Sequence, residues 1–190
     1  MLRKILVTVT AIGLLSMLGG LAGFAVFTDT ASVGSNTFTT GTIIISTSPT
    51  TALVTFSDMA PGDSVQPSAG IVVSNDGTLS LRYSVTSTTT EDVLAAALDL
   101  TIREIDVDAT IACDDFDGAV IYAAADLGST AGIDVIGNPL QGNQGTDRTL
   151  ASGTETLCFR VELPLSATGP EGTTTTATFA FQAEQTKNNP

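Results

Sequence analysis

The chain has 190 residues, with 20 acids, seven bases and no histidine, for a net charge of −13. Such a balance repels nucleic acid and anionic lipid, so neither is an expected partner. The missing histidine excludes the two-histidine zinc-protease motif and both the Ser–His and Cys–His nucleophile pairs.

The N-terminus reads as an export signal. Arg3 and Lys4 precede an uncharged apolar run of 22 residues from Ile5 to Val26. Gly23-Phe24-Ala25 gives the small-x-small pattern a signal peptidase needs, which places the cut between Ala25 and Val26. The alternative is an uncleaved anchor, since 22 residues suffice to span a bilayer. The expected organisation is a signal peptide over 1–25, an N-terminal strand segment over 26–46 and a β-domain over 47–190. Beyond the cut, 20 acids face five bases (Arg82, Arg103, Arg148, Arg160 and Lys187), a net charge of about −15. Membrane contact is expected only during export.

Directly behind the cut, Phe27, Ala31 and Val33 fall on one face of an extended segment, with Asp29 as the exception. Next, Thr37 to Ser46, Ala52 to Ser57 and Gly70 to Ser74 read as strands. Asn75-Asp76-Gly77 supplies a tight hairpin turn. Leu79 to Ser87 alternates, with Leu79, Leu81, Tyr83 and Val85 on one side and Arg82 and Ser84 on the other. A short helix is predicted from Glu91 to Leu98, with Thr90 as its cap and acids in its first turn. Asp99 to Val107 and Ala119 to Ala124 follow as strands, and 128–153 reads as mostly loop. Glu155 to Leu163 alternates with Leu157, Phe159, Val161 and Leu163 inward and Cys158, Arg160 and Glu162 outward. The last strand, Thr174 to Glu184, puts Ala177, Phe179, Phe181 and Ala183 on one face. The pattern predicts an all-β, jelly-roll-like antiparallel sandwich with one short helix.

The two cysteines, Cys113 and Cys158, form an even count in an exported chain, which favours one disulfide over two reduced thiols. Asp106, Asp108, Asp114, Asp115 and Asp117 lie within twelve residues. They offer a weak Ca²⁺ site, against the plainer reading of a solvated acidic loop tied down by Cys113.

Five motifs occur in a fixed order: Phe27-Thr28-Asp29; Asn36-Thr37-Phe38-Thr39-Thr40-Gly41-Thr42; Met59-Ala60-Pro61-Gly62-Asp63-Ser64; Asn75-Asp76-Gly77-Thr78-Leu79; and Ala183 through Pro190. Together they resemble the TasA/camelysin family of secreted proteins with a SipW-type signal peptide. The resemblance implies a jelly-roll sandwich exported to the cell surface and built into biofilm-matrix fibres or pili. It also implies that the N-terminal strand of one subunit completes the sheet of the next. Val26, Phe27, Asp29, Ala31 and Val33 are the donor residues on this reading, and the partner is a second copy, joined head to tail. Other matrix or pilus subunits are further candidate partners. Asp29 is expected at a groove mouth or beside a cation, because a buried lone carboxylate is costly. The alternatives are a flexible tail, a strand folded back on its own domain, or a monomeric, non-enzymatic adhesion module.

Camelysins are described as metallo-endopeptidases. Against this, the residue count leaves zinc only carboxylates and two cysteines, a poor set for a catalytic site. No repeated pair of Asp-bearing loops supports an aspartic dyad. The expectation from the residues is a chain that is not an enzyme, needs no cofactor, and is secreted to the extracellular space or cell surface.

Overall fold

The computed structural model describes residues 39–51, 58–105, 113–168 and 171–189, and the residues from Thr40 onward form a unit of their own. The signal segment, the Val26 to Val33 segment and the strand expected over Ala52 to Ser57 lie outside the described residues.

Among the described residues the order is β1 (Ile45–Ser48), β2 (Ser64–Val65), β3 (Ile71–Asn75), β4 (Leu81–Thr89), α1 (Val93–Ala97) and β5 (Asp99–Glu104). Then come β6 (Val120–Asp126), β7 (Ile133–Ile136), β8 (Arg148–Leu150), β9 (Gly153–Glu162) and β10 (Ala177–Gln185). One antiparallel sheet has six strands in the order β1-β3-β9-β5-β6, with β2 on β9. The other has four, in the order β10-β4-β7, with β8 also on β4. The expected all-β antiparallel sandwich with one short helix is the fold that forms.

Alternation explains the core. In β4, Leu81, Tyr83, Val85 and Ser87 point inward and are at most 1% exposed. Opposite them lie Ile71 and Val73 of β3, Leu100 and Ile102 of β5, and Leu157 and Phe159 of β9. Each such side chain contributes about 1.5–3 kcal/mol through burial. The outer face of β4 is also buried: Arg82 is 6% exposed and Ser84 4%, a departure from the simple inside–outside reading.

The turn at Asn75-Asp76-Gly77 is not a hairpin. It carries the chain from β3 in one sheet to β4 in the other. The Asn75 side-chain amide donates to the carbonyls of Leu79, Leu150 and Ala151, and its oxygen accepts from the Gly77 amide. A Cβ on Gly77 would lie 2.4 Å from the Thr42 carbonyl oxygen, so only glycine fits there.

The helix is shorter than its sequence signals predicted, and its capping is reassigned. The Glu91 carboxylate accepts from the amides of Val93, Leu94 and Ala95. Thr90 instead accepts from the Thr176 amide, and Asp92 accepts from the Thr130 amide and hydroxyl. The Thr130 bonds hold the Asp92 pKa below the ordinary carboxylate range. The stretch read as loop over 128–153 contains β7 and β8. Their pairing with β4 overrides a weak local signal.

Cys158 faces out from the main core, as its alternation requires, yet it is 1% exposed. Cys113 bonds to it across a sequence separation of 45, with Cα atoms 5.4 Å apart. With Phe116 the two sulfurs form a second small apolar cluster on the outer face of the six-stranded sheet. The guanidinium groups of Arg103 and Arg160 sit 5.3 Å and 4.6 Å from the Phe116 ring centre. Replacing both Cys113 and Cys158 by alanine should lower unfolding stability in urea by about 2–5 kcal/mol, because the unfolded chain regains the freedom of a long loop. A denaturation midpoint unchanged from wild type would refute that assignment.

Candidate functional site

The two sheets do not cover each other completely. Between β10 and the β1–β2 side of the six-stranded sheet runs a groove of about 570 Å³. Its floor is the core itself: Ile71, Leu98, Leu100, Leu127 and Phe159 line it from one side, Phe179 and Phe181 from the other. Met59, Val65, Val161, Pro49 and Pro67 extend the apolar wall, and threonines fill much of the remainder. Among the described residues no charged side chain lines it.

The aromatic residues of β10 show the incompleteness directly. Phe179 packs on Phe159 across the sandwich with ring centres 5.0 Å apart, and Phe181 lies 6.1 Å from Tyr83. Both phenylalanines point inward, yet both stay only half-buried.

The free sheet edges differ in kind. β6 meets β5 with two register shifts and ends in Asp126, features that disrupt further pairing. β1 has four residues and is followed by Pro49. β10 pairs with β4 over nine residues without a shift. Among the described residues nothing pairs with its other side. Its sequence holds no proline, no glycine and no charge before Glu184. Among the described residues this is a long, regular edge beside an apolar groove.

Two charge clusters hold the surroundings rigid. At the end of β10, Glu184 accepts from Arg82, from the Gly142 amide and from the Asn189 side chain, while Arg82 also donates to the Asn189 carbonyl. Burial opposes the charge on Glu184, but these donors outweigh it and hold its pKa below the ordinary range. A cup of about 250 Å³ adjoins this cluster under the 138–147 loop, with polar walls already engaged in these bonds.

The second cluster joins the sheets. Arg148 of β8 pairs with Glu155 of β9 at 2.7 Å and with Glu104 of β5 at 2.8 Å, and the Tyr83 hydroxyl donates to Glu155. Alternation alone gave no sign of either cluster. It marks Arg82 as outward but cannot show that its partner is Glu184, 102 residues away in sequence.

Residues 1–123 match the family described as camelysin metallo-endopeptidase. The chain belongs to that family. No curated protein matches it. Camelysin membership and the disulfide both point to a secreted protein. Among the described residues no helix is long and apolar enough to cross a membrane.

Membership corrects the expectation that the chain is not an enzyme, because the family is described by a metallo-endopeptidase activity. Among metal-binding motifs, missing histidine excludes those that need histidine. It leaves 20 carboxylates as hard oxygen donors. The described residues, however, do not fit a metal centre. Both cysteines are spent in the disulfide, and no three side chains among His, Cys, Asp and Glu come together.

Of the acidic cluster, Asp114, Asp115 and Asp117 are exposed, while Asp106 and Asp108 lie outside the described residues. So do the cleavage residues Ala25 and Val26 and the donor residues Phe27, Asp29, Ala31 and Val33.

Burial and the Glu155 carboxylate push the Tyr83 hydroxyl pKa well above the usual tyrosine range. The folded state therefore keeps a proton that the unfolded state releases above about pH 10. Stability should be constant below that pH and fall as pH rises beyond it. Tyr83→Phe should flatten this alkaline fall, as measured by urea midpoints at pH 8 and pH 11. An equal fall in both proteins would count against the buried tyrosine as its source.

Proposed function

We propose that this camelysin-family protein is a structural subunit of an extracellular fibre, pilus or biofilm matrix. It polymerises when the N-terminal strand of one copy adds to the next. The observation that carries this reading is the regular edge of β10, unpaired among the described residues, beside a groove lined by the half-buried Phe179 and Phe181. An added strand would satisfy the edge amides and carbonyls, and its alternate side chains would cover the phenylalanines. Phe27, Ala31 and Val33 have the spacing and apolar character for that task.

A contact of this type is head to tail, so it propagates without closing. Assembly and the peptidase activity described for the family are separate properties, and the groove bears on the first. The acidic surface suits a secreted, salt-screened setting at the cell surface.

Negative-stain electron microscopy of the exported chain should reveal filaments, and deletion of Val26 to Val33 should abolish them while leaving the melting temperature within a few degrees of wild type. Dispersed particles from the intact chain over a range of salt and pH would favour a monomeric surface module instead.

A further inference from the structure

The described residues that line the groove carry no charge, yet the strand proposed to fill it carries one, Asp29. In strand alternation Asp29 shares its face with Phe27, Ala31 and Val33, so it turns toward the groove whenever they do. A carboxylate there needs hydrogen-bond donors. The groove supplies donors of one kind. Thr174, Thr175, Thr176 and Thr178 line it together at the start of β10. Thr174, Thr176 and Thr178 are exposed, which marks this end as a mouth.

Thr175 is the informative member. Its hydroxyl oxygen is shielded from solvent and is, with the Nε of Arg103, one of two side-chain polar atoms left buried without a partner among the described residues. Native proteins rarely leave such an atom unsatisfied unless something else supplies the partner. The backbone on either side is committed: the Thr176 amide donates to the Thr90 hydroxyl, and the Thr176 carbonyl accepts from the Thr90 amide. The segment is thus fixed to the α1 end of the domain, and Thr175 shares the inward side of the alternation with Ala177 and Phe179.

Resting on the strand-donation reading, we infer that the threonine row at Thr174–Thr178, with Thr175 at its centre, is the specificity subsite that receives the Asp29 carboxylate of a second copy. It sets the register of the incoming strand: Asp29 at the threonine mouth places the apolar residues on one side of it along the phenylalanine-lined wall. A charge at another inward position would lie nearer Phe179, Phe181 or Ile71, whose apolar side chains offer it no hydrogen bond.

The test is the concentration of unassembled subunit that remains when filament growth stops, measured for the exported chain. Thr175→Val and Asp29→Leu should each raise it by about tenfold, the order expected for losing one charge-assisted hydrogen bond. Thr175→Ser, which keeps the hydroxyl, should match wild type. The double variant Thr175→Val with Asp29→Leu should assemble better than the product of the two single effects, because neither polar group is then stranded.

Independent, multiplicative effects would overturn the subsite while leaving strand donation intact. So would a Thr175→Ser chain as impaired as Thr175→Val. Filaments that still form after deletion of Val26 to Val33 would overturn strand donation itself, and the subsite with it.

Discussion

The packing of one strand, β4, against β5 and β9 holds the molecule together. Leu81, Tyr83 and Val85 are sealed between the sheets, and they meet Leu100, Ile102, Leu157 and Phe159 from the opposite side. Everything else is arranged about this contact. β10 is fixed because it pairs with β4 along its whole length. β7 and β8, weak on their own, persist because they share the other edge of the same strand. Tyr83 carries the contact into polar territory, with its ring in the core and its hydroxyl on Glu155, where Arg148 and Glu104 complete a cross-sheet cluster.

The same arrangement leaves one side unfinished. A four-stranded sheet lies over a six-stranded one. The shortfall falls beside β10, where inward phenylalanines line a groove instead of a closed core. Proteins commonly blunt exposed edges with bulges, prolines, charges or short strands, because an open edge recruits other chains. Here β6 and β1 carry such devices and β10 does not. The Arg82–Glu184 cluster pins the far end of β10, so the edge is presented in a fixed position.

Much of this was legible in particular residues. The alternation in 81–85 and 157–163 placed the core correctly, and an even count of two cysteines announced the disulfide. The motif at Asn75-Asp76-Gly77 was recognisable as a turn, but its role was not: it crosses between sheets, and Asn75 reaches Leu150 and Ala151 from across the sequence. Residue counting failed on activity. It excluded one metal-binding motif and was extended to exclude an enzyme, which family membership corrects.

By itself the sequence determined what is local: strand periodicity, the excess of acids, and which faces are apolar. Periodicity fixes a face because side chains on a strand alternate, whatever the strand pairs with. Only the tertiary structure decided which faces meet. It buried Arg82 against Glu184, placed Phe116 over the disulfide beneath two arginines, drew β7 and β8 out of a glycine-rich stretch, and turned Phe179 and Phe181 onto the groove. Those outcomes depend on partners tens of residues away, and a pattern with a period of two residues holds no information about them.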